Sequence, residues 1–168
     1  MEETVSKVCA AEPSQYQPAE IDDFVAFVLA GGEVEPKDFR ERVMTCGVTL
    51  TFIRERDCLL GVGGLKHPAQ RYRDRVAQRS GTALPEQDFP YELGWVFILP
   101  SARGRKLSFP LCEPLVVAAR GKGVFATSRV DNHGMHATLK KLGFVQTGTE
   151  WPSKQNDGNL ALFLKNAV

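Results

Sequence analysis

The chain has 168 residues, 43% of them hydrophobic and 24% charged, with 21 basic side chains against 20 acidic ones and a formal net charge of +1. That length suits one domain, 1–168, with a respectable core, and the near-zero net charge gives no global pull toward nucleic acid or anionic membrane, so any anion site must be local. No apolar run reaches the roughly 18 residues of a membrane span, and the start "MEETVSKVCAAEP" is acidic without an apolar h-region, which argues against a secretory leader and for a cytoplasmic protein.

In chain order, a short strand near Val8 precedes "PAEIDDFVAFVLAGG", which sets Ile21, Phe24, Val25, Val28 and Leu29 on one helical face, with Gly31 able to cap its end. "PKDFRERVMTCG" continues as a weaker second helix, Phe39 and Val43 four apart. "VTLTFIRERD" alternates and is rich in β-formers; "CLLGVGGLKHP" follows across a tight turn at Asp57, which predicts a hairpin. "AQRYRDRVAQRSG" places Arg71, Arg75 and Arg79 at four-residue steps on a helix over 69–79, and "TALPEQDFP" is a loop. "YELGWVFIL" is apolar on both faces, as a central strand covered on both sides would be, and Trp95 reads as core.

"PLCEPLVVAA" predicts a helix with Leu111, Leu115 and Ala119 in register. Pro110 is tolerable in a first turn, but Pro114 removes a helical hydrogen bond at a cost of ~3 kcal/mol, so a late start or a bend is expected. "GVFATSRV" is a strand. "NHGMHATLKKLG" is a short helix capped by Asn132, striped by Met135, Leu139 and Leu142, and ended by Gly143. "FVQTGTEW" and "NLALFLKN" are strands separated by a polar loop at 152–159. The order predicts an α/β (α+β) protein: a mixed sheet with helices on its faces. Cys9, Cys46, Cys58 and Cys112 are scattered, with no C-x-x-C pair and no histidine at ligand spacing; they read as buried free thiols, and no metal site is expected.

The stretch "WVFILPSARGRKLSFPLCEPL" puts Arg103, Gly104, Arg105 and Lys106 between two segments that both look buried. A helix N-terminus exposes unpaired amides and partial positive charge, so a strand–turn–helix of this kind suits a pyrophosphate, although short basic turns are also commonly just solvated. The nucleotide P-loop pattern G-x-x-x-x-G-K-[ST] is absent.

Two segments together resemble the GCN5-related N-acetyltransferase (GNAT) family. "ELGWVFILPSARGRK" is similar to the family's fourth strand followed by its acyl-CoA loop, [QR]-x-x-G-x-[GA]. "DNHGMHATLKKLGFVQTG" is similar to its N-x-x-(small)…K-x-G-F segment. The resemblance implies a mostly antiparallel sheet of six to seven strands, flanked by about four to five helices and splayed between the fourth and fifth strands. It implies acetyl-CoA as acyl donor. Pantetheine would run along the backbone at Phe97, Ile98 and Leu99. The pyrophosphate would rest on the amides of Arg103, Gly104, Arg105, Lys106, Leu107 and Ser108. Asn132, Leu139 and Lys141 would border the cofactor arm.

The sequence departs from this pattern twice. The central glycine of the signature falls on Lys106 and its last small residue on Ser108; a side chain at 106 loosens backbone approach, or its ammonium contacts phosphate directly. The tyrosine that family members often place seven residues after the asparagine is Leu139, and His136, one turn earlier, is the substitute candidate for protonating the departing thiolate. Amine acetylation needs a neutral nucleophile, although alkylamines have pKa values near ~10. Glu92, a lone carboxylate in an apolar strand, is the candidate base, with pairing to a nearby arginine as its bland alternative. A backbone amide at a strand bulge could hold the oxyanion.

The implied activity is an acetyl-CoA-dependent N-acetyltransferase of a small-molecule or protein amine; the alternative is an acyl-CoA sensor that has lost turnover. The arginine-rich helix could favour a carboxylated or phosphorylated acceptor, and Trp151 with the loop to Asn159 could form another wall. Neither nucleic acid nor membrane is expected as a partner; a homodimer is compatible with the resemblance.

Overall fold

The computed structural model describes residues 5–168; residues 1–4 of the acidic N-terminal segment lie outside the described residues. Helices α1 (Pro18–Ala30) and α2 (Phe39–Val43) precede the hairpin of β1 (Thr49–Glu55) and β2 (Cys58–Lys66). Then come α3 (Gln70–Ser80), β3 (Tyr91–Ile98), α4 (Ser108–Ala118), β4 (Val124–Arg129), α5 (His133–Lys141), β5 (Val145–Pro152) and β6 (Asn159–Lys165). The six strands form one sheet in the order β1-β2-β3-β4-β6-β5. Among the described residues the segment near Val8 forms no regular strand: it meets β1 at isolated bridges, Val5 to Glu55 and Ala11 to Leu50, and where Ser6 and Arg54 hydrogen-bond, before Pro13 opens a 3₁₀ turn.

All neighbours pair antiparallel except β3 and β4, which run parallel and pair only at Tyr91–Val124 and Glu92–Phe125. Beyond those two pairs the strands part. This is the splay expected between the fourth and fifth strands when the Val8 segment is counted; here it falls between β3 and β4. Its cause is visible in the β2–β3 register, where Val62 faces Phe97 and Gly64 faces Gly94. Two residues, Trp95 and Val96, therefore oppose Gly63 alone, and Trp95 adopts the left-handed conformation at φ 53°. Such a bulge bends its strand away from the ladder.

The splay also corrects the expectation that β3 is covered throughout. Glu92 and Leu93 are buried, whereas Gly94 to Leu99 are half-buried, because the edge facing β4 has no strand against it.

Helices α4 and α5 cover one face of the sheet, packing Cys112, Leu115, Ala119 and Leu139 on Leu65, Leu93, Ala126 and Phe163. On the other face α1 and α2 bury Ile21, Phe24, Val28, Phe39 and Val43 against Leu50, Phe52 and Val62. Farther along that face, Val76 of α3 packs with Leu84, Phe89, Phe125, Trp151 and Leu162. The opening between β3 and β4 thus lies at a boundary between helices on both sides. Helix α4 begins at Ser108, ahead of Pro110, and carries Pro114 in its interior. The late start expected from the prolines is absent, because Pro110 falls in the first turn, where its missing amide would have had no helical partner.

Of the four thiols only Cys112 is buried; Cys9, Cys46 and Cys58 are exposed, contrary to their reading as core. Cys9 and Cys46 lie outside regular elements and Cys58 opens a strand, where apolar periodicity places nothing.

Candidate active site

Glu92 is the last β3 residue paired to β4, so its carboxylate stands where the sheet divides. It is 2% exposed. Its Oε1 forms an ion pair with Lys66 Nζ, from the residue directly opposite on β2, and its Oε2 is buried without a hydrogen-bond partner. The alternative of a carboxylate at the strand's exposed entrance paired with an arginine is not met: Glu92 is buried, its partner is a lysine, and that lysine satisfies one oxygen only. Lys66 Nζ also lies 4.6 Å from the Trp95 ring centroid and 5.8 Å from that of Tyr72.

Tyr72 comes from the inward face of α3, and its hydroxyl faces Glu92 and Thr127 of β4. Burial of the phenol, reinforced by the Glu92 charge, pushes its pKa well above the ordinary tyrosine range, so the hydroxyl keeps its proton. One residue along, Arg73 is fully buried and donates to the backbone carbonyls of Pro68, Phe89 and Pro90, so it staples α3 to the segment entering β3. Desolvation is the main influence on Arg73 and lowers its pKa.

The anion-loop candidates lie at the other end of β3. Gly104 and Lys106 are both left-handed, at φ 82° and 59°, so position 106 does have the backbone shape that favours glycine. Among the described residues, the amides of Gly104, Lys106, Leu107 and Ser108 donate to no backbone carbonyl. Two of the three cations are engaged. Arg105 makes two contacts with Glu55, at 2.6 and 3.4 Å, and Arg103 donates from Nε to the Ile98 carbonyl at 3.1 Å while lying 5.6 Å from the Phe97 ring centroid. The Leu99 amide of that same peptide donates to Leu60, so the Ile98 carbonyl points away from β2, toward the open side. Ser108 Oγ meets Thr138 Oγ1 at 2.6 Å and joins the starts of α4 and the body of α5.

On α5, Asn132 accepts the Met135 amide at 3.1 Å, the cap read from the sequence. Leu139 is fully buried in the core, and Lys141 is exposed with its Nζ 4.9 Å from the Phe109 ring centroid. His136 bonds through Nε2 to the Arg129 carbonyl at 2.8 Å and packs at 4.9 Å on Phe163. Phe163 belongs to the α4–α5 face, whereas Glu92 shares the other face with Phe125, so the structure does not bring Glu92 and His136 together.

Lys66, Tyr72 and Thr127 were not read from the sequence. Tyr72 was legible in principle: with Val76 and Ser80 it forms an i, i+4, i+8 inward stripe beneath the more conspicuous arginines. Arg71, Arg75 and Arg79 do converge, with Asp74, Gln78 and Lys154, around a depression of about 370 Å³. Arg75 borders Tyr72 at 5.8 Å from its ring centroid. Trp151 is buried beneath this region, and the loop after it reaches back through Asn156 to Arg129, Gly32 and Glu33. No group of three or more potential metal ligands occurs among the described residues, nor does any helix there long and apolar enough to cross a membrane.

No protein-family model matches the chain, and no curated protein matches it significantly. Solved structures do. The chain is similar to yncA from Salmonella typhimurium, described as a putative acetyltransferase with its cofactor acetyl-CoA, at 14% identity and TM-score 0.64, over 96% of this chain and 94% of that one. It is similar to Arabidopsis thaliana NAA60 in complex with acetyl-CoA, at 12% identity and TM-score 0.67, over 95% and 98%. A GNAT-family acetyltransferase from Streptococcus agalactiae matches at 16% identity and TM-score 0.65, over 99% of both chains. The chain therefore has the GNAT fold, as the two sequence segments implied.

Proposed function

We propose that this protein is an acetyl-CoA-dependent N-acetyltransferase whose single domain carries acetyl from the open edge of β3 to a primary amine held over Glu92. One observation carries the reading: a buried carboxylate oxygen without a partner stands where β3 and β4 separate. The fold supports the donor, since neighbours of this fold hold acetyl-CoA. The turn amides before α4 that donate to no backbone carbonyl, and the β4-facing edge of β3 at Phe97 to Leu99, against which no strand lies, support a diphosphate with an extended arm; Arg103 would have to give up the Ile98 carbonyl for that arm to bond there.

Acetyl-CoA supplies the activated acyl group; the chain supplies the rest. Glu92 accepts the proton of the incoming ammonium through Oε2. A backbone amide at the Trp95–Val96 bulge is the candidate donor to a developing oxyanion. Tyr72 stays protonated on the Glu92 side, and His136 approaches from the opposite face; each is a candidate donor to the departing sulfur. The basic depression beside Tyr72 supports an acceptor that carries a carboxylate or phosphate in addition to its amine. A cytoplasmic location accords with this reading.

The sensor alternative has one observation in its favour: Leu139, at the position of the family's usual tyrosine, is sealed in the core. The experiment is a CoA titration followed by thiol release from acetyl-CoA with a panel of amines. Ligand at 100 times its Kd should add ~2.7 kcal/mol of stability. Stabilisation with amine-dependent thiol release supports the enzyme, stabilisation without release supports the sensor, and no stabilisation removes both.

A further inference from the structure

The place that an acceptor amine must take beside Glu92 already holds an amine of the chain itself. Lys66 Nζ is paired to Glu92 Oε1, faced by the Trp95 and Tyr72 rings, and belongs to a side chain only 19% exposed. The lane it occupies is kept clear by Gly94, where a Cβ would come within 3.2 Å of Lys66 Cε and 3.4 Å of Nζ. An ion pair meant only to stabilise would not need its carboxylate to leave one oxygen unpartnered, since a buried orphan oxygen costs stability. Nucleophile, base and the parting of the two strands coincide at one point of the sheet.

We propose that Lys66 is a self-acetylation site, modified by the acetyl-CoA that the opening beside it receives; this rests on the acetyl-CoA reading above. The Lys66 ammonium loses one proton to Glu92, which passes it to water. The neutral amine forms an N–C bond to the thioester carbonyl carbon, the C–S bond breaks, and the second amine proton goes to the sulfur. The products are Nε-acetyl-Lys66, the CoA thiol and one released proton, with no redox change. Acetylation removes the cation from beside Glu92 and leaves its carboxylate free for an external ammonium, so the first turnover would prime the site.

The test is incubation of the purified full chain with acetyl-CoA and no acceptor, followed by peptide mass spectrometry, with CoA-induced thermal stabilisation measured in parallel. Lys66 should be acetylated at least ten times faster than the exposed Lys122 and Lys140. Glu92→Gln should abolish that preference while the CoA-induced shift persists. Lys66→Arg, which keeps the charge without an acylable amine, should lose the acceptor-free burst of thiol. CoA stabilisation with Lys66 acetylated no faster than surface lysines overturns the inference and leaves the acetyl-CoA reading standing. Absence of stabilisation overturns both.

Discussion

Arg129, the last residue of β4, donates from Nη1 to Asn156 Oδ1 at 2.7 Å, and Asn156 in turn donates to Glu33 Oε1 at 2.8 Å. One guanidinium thereby ties the loop after α1 to the loop between β5 and β6, two segments far apart in sequence. Arg129 ends β4 beyond its two pairs with β3, so under the proposed function both loops would border the acceptor side of the opening. Arg129→Ala should release them, raising the acceptor KM at least five-fold while kcat and CoA affinity change less than two-fold. Its effect on folding should be small, because the ion pairs are partly exposed and screened by solvent. Steady-state kinetics in both substrates check this; an unchanged acceptor KM refutes the tie.

Glu92→Gln should lower kcat by 10²–10⁴-fold, a typical range for losing a general base. CoA affinity should hold, so that the loss appears in turnover alone. Lys66→Met is the structural counterpart. It strands a buried carboxylate and should cost about 3–5 kcal/mol of stability by chemical denaturation.

The proton donor is separable by two variants. Tyr72→Phe removes a hydroxyl that burial keeps protonated past the ordinary tyrosine range; His136→Gln removes the ring on the other face. The donor's variant should lower kcat about 10²-fold or more with a thioester of ordinary leaving group. It should recover activity with an acyl donor whose leaving group needs no proton. The other variant should do neither.

Lys106 sits in left-handed backbone that costs a non-glycine residue roughly 1–2 kcal/mol. Lys106→Gly relieves that strain but loosens the unfolded chain, so the net change in stability should be under about 1 kcal/mol. CoA affinity should fall several-fold at low salt and less at high salt, as loss of an ammonium–phosphate contact requires. Titration calorimetry at two ionic strengths decides; an affinity gain would mean that the side chain obstructs instead.

Burial raises Cys112 and Tyr16 to about 12 and Tyr72 well above its usual range. The folded state keeps these protons where the unfolded chain releases them. Their stabilising contribution is therefore complete below roughly pH 8 and declines from about pH 9 toward pH 12. Alkaline denaturation curves should show that slope. A thiol reagent at pH 8 should titrate three cysteines in the folded protein and four after unfolding.

The sheet's makeup was readable because β-rich alternation, a hairpin turn and helical stripes each have their own period: Ile21, Phe24 and Val28, or Leu111 and Leu115, are core because they recur on one face. The turn proposed to hold the cofactor could be singled out because it is contiguous in sequence. The rest is assembled across strands and helices. Lys66 meets Glu92 through a cross-strand register, and Tyr72 meets Thr127 across the splay, neither of which leaves a periodic trace. Arg73 was not singled out, because nothing local in the sequence marks it as buried. Its partners are carbonyls 16 and 17 residues ahead.

The two pairs joining β3 to β4 also bear on how the chain acquires its form. On either side of them stands an antiparallel trio, β1-β2-β3 and β4-β6-β5, and each contains one hairpin of near neighbours, β1–β2 and β5–β6. Those two hairpins can nucleate first, since closing short loops is entropically cheap, whereas the β2–β3, β3–β4 and β4–β6 pairings each wait for a longer excursion, and the β3–β4 seam has only two pairs to hold it. Gly123 is where that seam meets least tolerance: a methyl there would lie 1.9 Å from the Asp88 carbonyl oxygen. Gly123→Ala should accordingly speed unfolding and lower the melting temperature. Hydrogen exchange should find the seam between the trios opening before either trio frays.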